Sequence, residues 1–307
     1  MKKVLVATEK PFAAVATNGI KKILTAAGYE TVLLEKYSDI AEFKTAVAEA
    51  DALIVRSDKL TKEIVDVAGK LKIVVRAGAG YDNLDLAACT EKGVVAMNTP
   101  GQNSNAVAEL AIGMMIYMAR NGFTPGTGAE LKGKKLGIHA YGNVGKLVAA
   151  LGKGFGMEIH AFDPFVTADA LKKDGIVPVA DVKELYSKCQ YISLHIPANE
   201  DTKKSIGYDL LKSMPKGGTL INTARKEVVD EGGLLKALME RNDLKYATDI
   251  APDGLAKMKE SVGVRVFATA KKMGAETSEA NINAGLAAAQ QIVDFFKKGE
   301  RRFQVNR

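Results

Sequence analysis

Short runs rich in valine, isoleucine and leucine recur along the chain, separated by stretches whose apolar residues fall at helical spacing. A first series is KVLVA (3–7), TVLLE (31–35), ALIVR (52–56), KIVVR (72–76) and VVAMN (94–98), with helix-like stretches at 42–50 and 62–70 between them. A second series is KKLGIHAY (134–141), MEIHAFD (157–163), IVPVA (176–180), YISLHIP (191–197), GTLINTA (218–224), KYATDIA (245–251) and VRVFATA (264–270). Near-continuous apolar strands alternating with helices predict parallel sheets covered on both faces. Two longer amphipathic segments, 103–120 and 277–298, are long enough to bridge two domains, and the second would return the chain to the first domain. The pattern predicts an α/β protein of two doubly wound parallel-sheet domains, linked by long helices, with a cleft between them. Their expected limits are 1–98 plus 282–307 and 99–281.

Composition narrows the function classes. With 307 residues and 47% hydrophobic content, two separate cores can be buried. The apolar run LAIGMMIYM (110–118) is broken by Gly113 and falls far short of the roughly 20 residues a bilayer requires. MKKVLVATEK reads as a first strand and not as a signal peptide, so a soluble, cytoplasmic protein with no membrane partner is expected. The net charge of +7 is dispersed over helical segments with no basic run interleaved with aromatics, which points to small anionic ligands and not to nucleic acid. Cys89 and Cys189 have neither CxxC spacing nor a nearby histidine, so no metal site or disulfide framework is expected.

The turn after the first strand of the second series reads GIHAYGNVG (137–145). It is a dinucleotide fingerprint with Ala140 in the first glycine position, followed by Gly142 and Gly145. Gly142 would let backbone approach a pyrophosphate at the helix N-terminus, with Asn143 and Val144 beside it, and Gly145 would let helix pack against strand. Asp163, closing the next strand, would accept hydrogen bonds from the adenosine ribose and repel a 2′-phosphate, which favours NAD over NADP. Gly145-Lys146 is followed by Leu147, where a P-loop needs Ser or Thr.

Five further motifs, VRAGAGYDNLD (75–85), NTPGQNSNAVAEL (98–110), SLHIPANEDT (193–202), INTARKEVVDE (221–231) and TDIAPD (248–253), stand in an order that resembles the D-isomer-specific 2-hydroxyacid dehydrogenases over nearly the whole chain. VRSDK (55–59) and the terminal FQVN (303–306) are similar to the branch whose substrates carry a phosphate, in a short form without a C-terminal regulatory domain. The resemblance implies that Arg225 holds the substrate carboxylate and carbonyl oxygen, a role suited to a planar fork of donors. It further implies that Gly78, Ala79 and Gly80 cradle the carboxylate, and that Arg56, Ser57 and Lys59, with Asn103 and Asn281, bind the phosphate. Asp249 would anchor the nicotinamide carboxamide, Thr223 and Ala224 would line the ring, Ala275 would also touch the cofactor, and His195 and Pro197 would form the loop over the adenosine half. A homodimer through the NAD-binding domain is the expected assembly. Other readings are a different D-2-hydroxyacid dehydrogenase, acting on lactate, glyoxylate or hydroxypyruvate, and an NAD-sensing scaffold or corepressor.

The family's proton-transfer histidine is missing. His139, His160 and His195 all fall early in the second series, and the position two residues before Gly274-Ala275 is Lys272. The family's orienting glutamate position is Gly254. The two departures agree: imidazole needs a carboxylate to fix its tautomer, whereas an ammonium has three equivalent donors. A lysine ordinarily titrates near about 10.4, so Lys272 acting as base predicts oxidation favoured at alkaline pH, while its ammonium can donate directly in the reverse direction. Lys271 stands where the family commonly has proline, and solvated charge is an open reading of it.

Overall fold

A computed structural model describes residues 1–306. The chain divides into two compact units, one of Met1–Ser104 with Ala275–Arg307 and one of Asn105–Gly274.

The first unit runs β1 (Lys3–Thr8), α1 (Ala14–Ala26), β2 (Glu30–Glu35), α2 (Ile40–Ala48), β3 (Ala52–Val55), α3 (Lys62–Val67), β4 (Ile73–Arg76), α4 (Leu86–Glu91) and β5 (Val95–Asn98). Its strands form a five-stranded sheet in the order β2-β1-β3-β4-β5, every pair parallel. Alternate residues of β3 face opposite cores, Leu53 and Val55 on one side and Ala52 and Ile54 on the other, so all four strand positions are apolar and buried. Helix starts are local in origin. Asp39 accepts from Ala41 N and Glu42 reaches back to Asp39 N, a reciprocal capping box that starts α2.

The second unit continues with α5 (Ser104–Ala119), β6 (Lys135–His139), α6 (Asn143–Gly154), β7 (Glu158–Phe162), α7 (Ala168–Lys173), β8 (Val177–Pro178) and α8 (Val182–Lys188). It closes with β9 (Tyr191–Leu194), α9 (Tyr208–Ser213), β10 (Thr219–Asn222), α10 (Glu231–Glu240), β11 (Lys245–Thr248), α11 (Leu255–Val262) and β12 (Val266–Ala268). The seven-stranded parallel sheet has the order β12-β11-β10-β9-β6-β7-β8. Counted from β6, this is the dinucleotide-binding order extended by one strand, and its topological switch lies between β6 and β9. Every strand run expected from the hydrophobic pattern is present as a parallel strand.

Helix α5 departs from the expected amphipathic stripe. Only Asn105, Glu109 and Gly113 are exposed, one narrow row at four-residue spacing, while Ala108, Ala111, Met114, Met115 and Met118 enter the unit's own core. The last helix, α12 (Ser278–Lys298), packs on α1 of the first unit through small residues. A Cβ at Gly19 would stand 2.4 Å from a Leu286 methyl, and one at Gly285 would stand 3.1 Å from Ile20. Thr277 caps α12 by accepting from Ala280 N, and Gly299 ends it at φ 69°. Beyond it, Asn306 is 4% exposed and stitches the tail to β5, accepting from Ala96 N and donating to Val94 O. No helix among the described residues is long and apolar enough to cross a membrane.

Candidate active site

In the second unit, the turn from β6 into α6 has three roles divided among three residues. Ala140 stands at φ 79°, a left-handed conformation that costs a non-glycine residue about 1–2 kcal/mol. Gly145 is required by packing, because a Cβ there would lie 2.3 Å from the Ala140 carbonyl oxygen and 2.9 Å from an Ile138 methyl. Gly142 is required by nothing inside the protein: an added Cβ would meet no atom within 4 Å. The open side of Gly142 therefore faces space for a ligand, at the start of a helix with no side-chain cap and no acidic residue in its first turn. Asn143, Val144 and Gly145 supply the first amides of that helix.

Asp163, just past β7, spends one bond on each carboxylate oxygen, accepting from Tyr141 N at 2.8 Å and from Phe165 N at 2.8 Å. Each oxygen keeps further acceptor capacity for a ribose hydroxyl. A cavity of ≈ 1070 Å³ opens beside it, lined by His139, Ala140, Phe162, Pro164 and Thr202 among others. His195 follows β9; its Nε2 is shielded from water without a partner, and burial with the neighbouring His139 pushes its pKa down to about 3. It is a neutral ring, unsuited to proton transfer near pH 7. Pro197, exposed on the same loop, has its carbonyl held by the Thr202 hydroxyl at 2.6 Å.

At the ends of β10 and β11 stand Thr223, Ala224, Arg225 and Asp249. Thr223 is 6% exposed and its hydroxyl lacks a protein partner. Arg225 Nη1 donates to the Ala224 carbonyl at 2.9 Å, and Lys272 Nζ reaches that same oxygen at 3.5 Å. Two cations far apart in sequence thus converge on one carbonyl at the edge of the sheet. Asp249 is fully buried; its Oδ2 accepts from Gly274 N at 2.7 Å and Met273 N at 3.3 Å, which fixes the loop carrying Lys272. Desolvation raises the Asp249 pKa, opposed by these amides and the Lys272 charge. Gly274 permits the contact, since a Cβ there would lie 2.8 Å from Oδ2. The other oxygen, Oδ1, is buried without a protein partner. Asp249 Oδ1, Thr223 Oγ1 and His195 Nε2 are orphaned polar atoms at this edge, and a dinucleotide with a carboxamide and hydroxyls fits them.

Glu231 was not singled out from sequence and proves structural at this site. Its two oxygens accept from Asp253 N and Gly254 N, both at 2.9 Å, in the segment where the family's orienting glutamate would stand. A Cβ at Gly254 would already lie 3.3 Å from Glu231 Oε2. No local signal could have found this contact, which spans 23 residues.

In the first unit, Arg56, Ser57 and Lys59 follow β3, and Gly78, Ala79 and Gly80 follow the adjacent β4. Ser57 and Lys59 are exposed. Gly78 has φ 154°, and a Cβ there would sit 1.5 Å from Arg76 Nη1, so the glycine makes room for that guanidinium. Arg76 Nε donates to Arg56 O at 2.9 Å, joining the two turns; this second arginine is missing from the sequence-based candidates. Asn98 holds the Ala79 carbonyl at 2.6 Å. Asp58, 4% exposed, is another unanticipated residue: its Oδ1 accepts from Glu9 N and Tyr37 OH, and its Oδ2 from Arg56 N. Asn281 lies in the opening turns of α12, Asn103 just before α5, and Ala275 is the residue at which the chain re-enters this unit.

A doubly wound sheet with a dinucleotide-type turn, a carboxylate just past its second strand and orphaned polar atoms at its carboxyl edge defines the second unit as a dinucleotide-binding α/β domain. Residues 114–262 match the D-isomer specific 2-hydroxyacid dehydrogenase NAD-binding domain. The 3-phosphoglycerate dehydrogenase of Entamoeba histolytica, solved with NAD+ bound, is 51% identical and covers 100% of this chain and 99% of its own, with a TM-score of 0.89. D-3-phosphoglycerate dehydrogenase of Methanocaldococcus jannaschii is 34% identical over 82% of this chain and 51% of its own length. The Homo sapiens enzyme of the same name is 33% identical over 90% of this chain and 54% of its own length. The chain thus spans about half the length of the curated relatives it matches. It belongs to the D-isomer specific 2-hydroxyacid dehydrogenase family, and its second unit is that family's NAD-binding domain.

Proposed function

We propose that the protein oxidises D-3-phosphoglycerate to 3-phosphohydroxypyruvate with NAD, the opening step of serine biosynthesis, with hydride passing to NAD and the hydroxyl proton to Lys272. The observation that carries this reading is the convergence of Arg225 and Lys272 on the Ala224 carbonyl. A 2-hydroxy acid carries its carboxylate one carbon from the hydroxyl that loses its proton, so a guanidinium and an amine side by side match the two adjacent groups. Bound NAD supplies the hydride acceptor. Arg225 grips the carboxylate through two parallel donors and polarises the carbonyl oxygen as it forms. Lys272 Nζ takes the hydroxyl proton in oxidation and returns it in reduction. Asp249 holds the lysine loop through Oδ2 and offers Oδ1 to the carboxamide, so one carboxylate aligns both reaction partners. Arg56, Ser57, Lys59, Asn103 and Asn281 take the phosphate, and the Gly78–Gly80 turn takes the carboxylate.

The phosphorylated substrate is supported by the basic residues at the β3 end and by the name of the Entamoeba histolytica protein. The same reading places the protein in the cytoplasm as a homodimer through the NAD-binding domain, for which the partly buried Leu110, Ile116 and Tyr117 of α5 offer apolar surface. NAD reduction measured with D-3-phosphoglycerate beside D-lactate and D-glycerate tests the assignment. Turnover confined to an unphosphorylated acid would replace the substrate, and turnover with none would favour an NAD-sensing scaffold.

A further inference from the structure

Arg56 carries an internal counter-ion. Its Nη2 lies 3.2 Å and 3.4 Å from the two carboxylate oxygens of Glu276, a residue 220 positions away in sequence. The partners differ in freedom. The Arg56 side chain is 18% exposed, whereas that of Glu276 is 55% exposed. Arg56 is also fixed through its backbone, with its carbonyl held by Arg76 Nε at 2.9 Å and its amide facing Asp58 Oδ2 at 3.4 Å. Glu276 sits one residue before the cap of α12, and its carboxylate can swing into water without breaking the Thr277 cap. The arginine stays and the carboxylate can leave.

We propose that Glu276 is an internal counter-ion that tempers the phosphate affinity of this subsite: a built-in carboxylate that occupies Arg56 until a substrate phosphate displaces it. This rests on the reading of the β3 end as the anion subsite. A half-exposed ion pair is weak and easily exchanged. A phosphate near neutral pH carries up to two charges and can displace a single carboxylate, whereas the neutral hydroxymethyl end of an unphosphorylated acid offers Arg56 nothing in return. Glu276 therefore sets a cost that a phosphate meets on engaging this subsite and that an unphosphorylated acid, which leaves the pair in place, does not meet.

The test compares the full-length chain with its Glu276→Gln and Glu276→Ala forms, by calorimetric binding of inorganic phosphate and by steady-state kinetics with D-3-phosphoglycerate and D-glycerate. Removing the carboxylate should tighten phosphate and lower KM for D-3-phosphoglycerate by about fivefold, the scale of an exposed ion pair. The kcat should stay within about twofold, and KM for D-glycerate should barely move. Adding Arg56→Met to Glu276→Gln should erase the gain, which assigns it to this arginine. Unchanged or weaker phosphate binding in both single variants would overturn the proposal and show Glu276 to be a support for Arg56. Phosphate tightening in a protein that oxidises no D-3-phosphoglycerate would leave the counter-ion role intact and remove the substrate assignment instead.

Discussion

Ala140 gives the sharpest test of the cofactor turn, because the chain places a methyl group where the backbone is left-handed. At φ 79° the Cβ crowds its own following carbonyl, at a cost of about 1–2 kcal/mol. Ala140→Gly removes that strain but frees the unfolded chain, which offsets about 0.4–1 kcal/mol. The net expectation is stabilisation by about 0.5–1 kcal/mol, a rise in Tm of about 1–4 °C for a domain of this size. Ala140→Val is the opposing control, since a β-branched residue tolerates the left-handed region least. Differential scanning calorimetry of the cofactor-free protein reads both, and fluorescence titration with NAD reports whether the turn still binds. A lower Tm for Ala140→Gly, with Ala140→Val harmless, would refute the left-handed geometry and the account of the turn built on it.

The remaining predictions concern other parts of the two units. Gly145→Ala forces a methyl against the Ala140 carbonyl, so it should weaken NAD binding at least about tenfold, consistent with overpacking costs of about 1–3 kcal/mol, and calorimetric titration checks it. Lys272→Ala should lower kcat by about a hundredfold or more while leaving NAD affinity near normal, and Lys271→Ala should do far less; the reverse ranking would move the proton-transfer role to Lys271. The His139 pKa is pushed down to about 4 by burial. A depressed histidine favours the neutral native form, so its contribution is complete above about 6.5 and is lost as pH falls toward 4. That loss is about 3 kcal/mol. Thermal melting between pH 7 and pH 4 should show the decline, and His139→Gln should make it shallower, the buried His195 carrying the rest. Asn306→Ala strands Ala96 N and Val94 O, so it should destabilise the first unit by about 1–3 kcal/mol in a urea titration.

The strands were legible because a parallel sheet covered on both faces leaves a continuous apolar run, a signal each strand carries alone. The turn from β6 into α6 was legible for a related reason: Gly145 and Asp163 meet their packing and hydrogen-bond partners within one βαβ unit. Helix α5 misled because its sides are nearly all buried, and a helix without a polar face has too little contrast for periodicity to orient it. What stayed hidden were side-chain contacts across long separations. The Tyr37–Asp58 bond, the Arg56–Glu276 pair and the Asp249 clamp on Gly274 join segments with no shared period, so only folding reveals them.

Glu231 gives the proposed use of Lys272 in place of a histidine a structural side. Both of its oxygens are engaged by Asp253 N and Gly254 N, so the loop after β11 is already tied down by a carboxylate from another element. Adding a second carboxylate by Gly254→Glu would set a Cβ 3.3 Å from Glu231 Oε2 and bring like charges together, which raises the pKa of one of them and loosens the loop. Lys272→His alone would give an imidazole with no carboxylate at the family's position to fix its tautomer. A lysine needs no such partner, because its donors are equivalent under rotation. Its loop is already held by Asp249 through backbone amides, whatever the side chain at 272. On the proposed proton-transfer role of Lys272, the glycine at 254 and the lysine at 272 are one solution, and a histidine at 272 should require Gly254→Glu together with removal of the Glu231 charge.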